Sequence, residues 1–143
     1  MARKYGVFGA GMTDSEIAAF LREALPGLIA VYRFGSSAGG QTHADSDVDI
    51  AFLAEAPVDP VARFELQERL AARLNVDVDL VDLHSASTVM RMQVISTGSL
   101  IAAFDPAAQG AFEDHTYSAS ARLNEERREI LEQVRREGRV HGG

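Results

Sequence analysis

Arg33-Phe34-Gly35-Ser36-Ser37-Ala38-Gly39-Gly40, followed shortly by Ser46-Asp47-Val48-Asp49-Ile50, is the stretch from which the rest of the chain can be read. Leu28 to Phe34 is an apolar, β-rich run, so the spacing predicts a strand that ends in Gly-Ser. Ten residues separate Ser36 from Asp47. Gly35 to Ser46 is rich in Gly, Ser and Thr and reads as a loop or a turn around a short helix. Asp47 to Leu53 alternates as a second strand. Residues two apart on a strand share a face, so Asp47 and Asp49 point one way while Val48, Ile50 and Phe52 point into a core. Two adjacent carboxylates repel each other unless a cation lies between them. Hard oxygen donors suit Mg²⁺, which takes one or two protein carboxylates and fills its shell with water and substrate phosphates. The Gly-Ser turn offers close backbone approach and a hydroxyl, both suited to a phosphate.

Outward from this stretch the chain alternates elements. Thr13-Asp14-Ser15-Glu16 is a capping box, and Ile17, Leu21, Ala24 and Leu25 recur at helical spacing, predicting a helix over 14–25 that Pro26-Gly27 stops. Pro57 and Pro60 open a helix running to about Leu74. Val76 to Leu83 is a third strand carrying Asp77 and Asp79 on one face and Asp82 on the other. A helix over about 86–96 ends near Gly98, and Leu100 to Phe104 forms a fourth strand. Asn124 to Glu137 is a charged helix with Ile130, Leu131 and Val134 on one face and Gly138 as its stop. The order predicts one mixed α/β (α+β) domain over 1–143, a small mixed sheet flanked by helices, with 122–138 a charged C-terminal helix.

Bulk properties narrow the function. The chain has 143 residues, no cysteine, 14 Lys and Arg against 21 Asp and Glu, and a formal net charge of −7. The size supports one core without a disulfide or metal staple. The absence of cysteine excludes thiol catalysis and cysteine–zinc sites and fits a reducing compartment, so a cytoplasmic location is expected. No 18-residue apolar run is present to span a membrane, and Gly6, Gly9, Gly11 and Asp14 interrupt what a signal peptide would need. An acidic chain repels phosphate backbones, which argues against direct nucleic-acid binding.

Other readings of the aspartates fit less well. Asp45-x-Asp47-x-Asp49 resembles the start of a calcium-binding loop, but Ile50 stands at the required glycine and Ala56 at the required glutamate. Gly35 to Gly40 lacks both Gly-x-Gly-x-x-Gly and a following Gly-Lys-Ser/Thr. A lone Asp-x-Asp is most often plain solvated strand surface. Here a Gly-Ser turn precedes it and a third acidic strand follows, where one carboxylate can bind a second ion or help deprotonate an acceptor.

At these residues the sequence resembles the minimal nucleotidyltransferases of the DNA polymerase β-like superfamily, whose motif is Gly-Ser, ten residues, then Asp-x-Asp. It stands here as Gly35-Ser36 and Asp47-Val48-Asp49, and the family's third acid matches Asp79 in Val78-Asp79-Leu80. The run from Val78 to Leu83, Ala86-Ser87, Thr97-Gly98-Ser99-Leu100 and Phe104-Asp105 extends the likeness over most of the chain, toward antitoxins paired with HEPN-domain ribonuclease toxins. The resemblance implies a polymerase β palm-like fold and Mg²⁺-dependent transfer of AMP from ATP to a tyrosine of the toxin. It implies Asp47, Asp49 and Asp79 as catalytic metal ligands, with Gly35 and Ser36 holding the nucleotide. One position departs: Gly39 stands where the family commonly has Arg. If that Arg steadies the triphosphate, its loss weakens ATP binding or turnover, and the alternative is an antitoxin that neutralises by binding alone. A small-molecule nucleotidyltransferase would need an additional acceptor domain for which 143 residues leave little room.

The remaining signals are minor. His43 lies in the loop between Ser36 and Asp47 and reads as a solvated loop histidine first and a phosphate contact second. His84, His115 and His141 have no metal-ligand spacing. Met90 and Met92 read as packing residues or a partner-contact patch. Tyr5, Tyr32 and Tyr117 are the available self-modification sites, and nothing in their context favours them.

Overall fold

A computed structural model describes residues 12–35 and 47–142, the last four as helical backbone only. The elements are α1 (Asp14–Ala24), β1 (Leu28–Phe34), β2 (Val48–Ala54), α2 (Pro60–Leu74), β3 (Val78–Asp82), α3 (Thr88–Thr97), β4 (Ser99–Ala103) and α4 (Pro106–Gly142). The mixed α/β architecture is the one the sequence predicts. The sheet order is β3-β2-β1-β4. β1 runs antiparallel to both β2 and β4, and β2 and β3 are parallel, joined through α2.

Local chemistry sets most of these boundaries. In α1 the Thr13 hydroxyl accepts from Glu16 N–H at 3.1 Å and Glu16 accepts from Thr13 N–H at 2.8 Å, completing the capping box. Asp59 caps α2 through the Val61 and Ala62 amides, each at 3.1 Å, ahead of Pro60, whose missing N–H costs nothing at a first helical position. Asn75 closes α2 in the left-handed region, with φ 59°.

Two apolar layers enclose the sheet. Ile17 and Leu21 of α1 and Leu66, Leu70 and Leu74 of α2 pack on Val31, Ile50, Phe52 and Leu80. On the opposite face Tyr32, Phe34, Ala51 and Leu53 pack with Leu83 and with Val94 of α3, and Phe112 of α4 covers them. Every β1 residue is buried, as expected for a central strand covered on both faces. Each large side chain so buried contributes roughly 1.5–3 kcal/mol.

The final helix departs from the sequence expectation. It begins at Pro106, well before Asn124, and Gly138 does not end it. Asp105 and Pro106 form an N-cap and first-turn pair, with the Asp105 carboxylate accepting from Ala108 N–H at 3.1 Å. Gly110 and Gly138 cost roughly 1 kcal/mol each relative to Ala, yet neither takes a positive φ, and the helix continues through both. Its proximal part packs on the sheet, whereas residues 121–138 are exposed throughout. Ile130, Leu131 and Val134 therefore form an uncovered apolar stripe. Among the described residues no helix is long and apolar enough to cross a membrane.

The edge at β3 is closed by side chains. Gln67 accepts from Leu80 N–H and Arg63 donates to the Leu80 carbonyl, both at 2.9 Å. Asp82 is buried and accepts from Val58 N–H at 2.8 Å and His84 N–H at 3.0 Å. It thus ties the segment that enters α2 and the turn that leaves β3 to the end of the strand. Asp82→Ala should lower stability by roughly 2–4 kcal/mol, because two amides lose a charged acceptor. Urea midpoints at constant m-value measure this, and an unchanged midpoint would contradict the structural role.

Candidate active site

Strand register brings the acids together. Asp49 lies opposite Phe34 on β1 and directly beside Asp79 on β3. Paired residues of neighbouring strands project to the same face, so the Asp49 and Asp79 side chains are neighbours. Asp47 precedes Asp49 by one pleat on that face. At the mouth of the β2–β3 ladder, Val48 N–H donates to the Asp77 carbonyl at 2.9 Å. Asp77 shares the face of Asp79 but sits one pleat further out. Asp82 belongs to the opposite face and is occupied by the backbone amides described above.

Asp49 is half-buried, while Asp47, Asp77 and Asp79 are exposed. Burial pushes the Asp49 carboxyl above its ordinary range, and the charges of Asp79 and then Asp47 push it further the same way. These are the two acids whose fields Asp49 feels. Among the described residues no three carboxylate or imidazole groups are close enough to enclose a metal ion as they stand. The donor set nevertheless fits a hard divalent cation: it consists only of carboxylate oxygens, and its repulsion is of the kind such an ion relieves.

Gly35 completes the local geometry. Its φ is 73°, and a Cβ built on it would overlap the Asp49 carboxylate. Only glycine lets the end of β1 turn this close to the acid, leaving bare backbone beside it. Gly98 buttresses the same point from behind. A Cβ there would meet the carbonyl oxygens of Val94 at 2.5 Å and Arg33 at 2.8 Å, so the end of α3 rests directly on the end of β1. The approach of Gly98 to β1 was not legible in sequence.

Ser36, Gly39 and His43 lie outside the described residues, as does Tyr5. Arg33 belongs to the other face. Its Nη2 and Nε donate to Asp14 Oδ1 at 2.6 and 3.2 Å, on the side of α1 and away from Asp49. Tyr32 is buried, its hydroxyl donating to Glu113 at 2.9 Å and accepting from Gln109 at 3.1 Å, which clamps α4 to the central strand. Burial holds its phenol well above the usual range. Met90 packs in the second apolar layer, and Met92 lines a groove between α3 and α4.

The profile of the family described as Polymerase beta, Nucleotidyltransferase matches residues 15–107. The Protein adenylyltransferase MntA of Shewanella oneidensis is 40% identical over 123 residues, 86% of this chain and 88% of that protein. The chain belongs to the polymerase β-type nucleotidyltransferases. Among solved structures, a chain of a toxin-antitoxin crystal structure with AMP-PNP shares 40% identity and superposes with a TM-score of 0.77, covering 86% of this chain and 98% of its own. A chain of the tri-AMPylated Shewanella oneidensis HEPN toxin in complex with MNT antitoxin superposes with a TM-score of 0.71 at 38% identity, covering 85% and 94%. This nucleotidyltransferase therefore shares its fold, over nearly its whole length, with the MntA-type proteins.

Two outcomes follow from the geometry. Gly35→Ala should destabilise by roughly 1–3 kcal/mol from the left-handed backbone alone, seen as a lower urea midpoint. The second concerns Asp49. A carboxyl whose native pKa is raised costs the native state stability when ionised. That cost is absent below the unfolded value of about 3.9 and grows as pH rises through the native pKa. In EDTA, Asp49→Asn should therefore be more stable than the parent at pH 7, with the gain vanishing below pH 4. Added Mg²⁺ should raise the parent's midpoint and leave Asp49→Asn unmoved. An equal Mg²⁺ response in both would remove Asp49 from the ion site.

Proposed function

We propose that this chain is an antitoxin adenylyltransferase that moves AMP from ATP onto a tyrosine hydroxyl of a cognate HEPN-domain ribonuclease toxin and so silences it. The observation that carries the reading is the placement of Asp49 between Asp79 and the bare backbone of Gly35. That arrangement sets a cation-hungry carboxylate beside a turn suited to a phosphate. Support also comes from the likeness to a protein adenylyltransferase and to antitoxin chains crystallised with AMP-PNP or with an AMPylated toxin.

In this reaction Asp47, Asp49 and Asp79 hold Mg²⁺, which supplies charge neutralisation on the α-phosphate and on the departing pyrophosphate. Gly35 and Ser36 orient the triphosphate through backbone and hydroxyl. The phenol oxygen forms a bond to the α-phosphorus as the bond to the β-phosphate oxygen breaks, releasing pyrophosphate. Asp79, exposed at the sheet edge, takes the phenol proton. Positioning and charge neutralisation supply most of the acceleration, since no covalent enzyme intermediate is required. The partner is a protein, with no direct nucleic-acid or membrane contact, and the cysteine-free chain suits the cytoplasm.

A second reading, neutralisation by binding alone, draws on Gly39 in the loop. One experiment separates them: incubation with ATP, Mg²⁺ and the HEPN protein, followed by intact-mass analysis of both chains. The expected outcome is AMP on the toxin, and a loss of at least about a hundredfold in rate with Asp47→Asn, equivalent to roughly 3 kcal/mol of transition-state stabilisation. A silenced toxin of unchanged mass would select binding alone, and undiminished transfer by Asp47→Asn would remove that residue from the reaction.

A further inference from the structure

Gly98 is the entire connection between α3, which ends at Thr97, and β4, which begins at Ser99. Its backbone is extended, with φ −91° and ψ −178°, a conformation open to any residue. Conformation therefore does not require glycine here, and space does. A Cβ at this position would lie 2.5 Å from the Val94 carbonyl oxygen, 2.8 Å from that of Arg33 and 3.1 Å from the Phe34 Cβ. The first two atoms are main chain in a close-packed interior, so an added methyl is admitted only if an element moves.

The surroundings decide which element gives way. The helix side is braced: Gly98 N–H donates to the Val94 carbonyl at 2.8 Å. The Ser96 and Thr97 hydroxyls donate to the carbonyls of Met92 and Gln93, each at 2.6 Å. Val94 is fully buried, in one layer with Tyr32, Phe34 and Leu83. Ser99 is held by its pairing with Arg33, and a joint of one residue has no slack to absorb a displacement. The displacement therefore passes to Arg33 and Phe34, the last two residues of β1, and Gly35 follows them directly. The sheet order β2-β1-β4 puts Asp49 on the far side of that strand end, paired with Phe34. A Cβ on Gly35 would already overlap the Asp49 carboxylate. The end of β1 is thus gripped between two close approaches, and Gly98 makes one of them.

We propose that Gly98 is a positioning residue for the nucleotide: its missing side chain sets how far the end of β1 stands from Asp49, and so the gap in which phosphate and ion meet. Asp49 and Asp79 are held side by side by the β2–β3 register, which Gly98 does not touch. Moving the end of β1 should thus weaken nucleotide binding and leave ion binding alone, a split that lost stability by itself does not produce. The role rests on the adenylyl-transfer reading, and one arm of its test needs no nucleotide. In the folded protein without ligand, Gly98→Ala should shift the Gly35 amide resonance and leave the amides of Leu70 and Leu74 in place. With Mg²⁺ present, its AMP-PNP affinity should fall roughly tenfold or more, while the rise in urea midpoint on adding Mg²⁺ alone matches the parent's. Val94→Ala is the control. It loosens the same layer by removing buried methyls but adds nothing beside Arg33, and it should bind AMP-PNP within about twofold of the parent. If Gly98→Ala does not fold, a glycine inserted after Thr97 separates the two elements without a clash and should weaken AMP-PNP binding in the same way. An unmoved Gly35 amide, parent-like AMP-PNP affinity in a folded variant, or an equal loss in Val94→Ala overturns the positioning role. A parent protein that binds no AMP-PNP defeats the adenylyl-transfer reading instead, and the Gly35 amide then decides whether Gly98 sets the turn.

Discussion

Repulsion among carboxylates at one end of the sheet is the constraint around which the structure is arranged. Asp49 is half-buried beside Asp79 and one pleat from Asp47, and its ionisation is opposed by both burial and their charges. A protein that keeps such a cluster must hold it with binding energy from elsewhere. That energy is in the two apolar layers: β1 and β2 are covered on both faces, and Ile17, Phe52, Leu70 and Leu74 are fully buried. The acids are confined to the strand ends, where the layers stop. The charged end can therefore repel internally without opening the sheet, and the stored repulsion becomes available to whatever cation closes it.

Much of this was legible in the sequence, for local reasons. Asp47 and Asp49 on one face, with Val48, Ile50 and Phe52 on the other, follow from the period of a strand. Thr13 and Glu16 announce α1 because a capping box is written in adjacent residues. What escaped the sequence is long-range. Nothing local says that Asp79, and not Asp77, lies beside Asp49, because register is fixed by the whole β2–α2–β3 unit. The Tyr32–Glu113 contact spans 81 positions, and the approach of Gly98 to Arg33 joins two elements that share no pattern. The start of α4 was different: Asp105-Pro106 is a local signal that the charged periodicity beyond Asn124 overshadowed.

The length of α4 has a mechanical consequence. Glu113 and Gln109 fasten its proximal turns to Tyr32 on the central strand, three residues before the Gly35 turn. At roughly 1.5 Å per residue its 37 residues extend far past the sheet. The exposed distal part is thus continuous with turns that a part-buried hydrogen-bond network fastens to the central strand. Its uncovered Ile130, Leu131 and Val134 project from that distal part.

Charge accounting sets the terms on which a nucleotide can be held. Between Arg33 and Arg63 the chain contains neither lysine nor arginine. Of these two, Arg33 is committed to Asp14 on the opposite face, and Arg63 is braced on Leu80 and Gln67 at the outer edge. The described groups beside Asp49 are the Gly35 backbone and the carboxylates of Asp79 and Asp47. Backbone donors can orient a phosphate but carry no net charge, and the nearby acids repel it. In the proposed reaction the divalent ion is therefore the main source of positive charge within this segment, so nucleotide affinity and turnover should both follow occupancy of the carboxylate cluster. In that proposed reaction Gly39, standing where the resemblance implies Arg, would move more of that burden onto Asp47, Asp49 and Asp79.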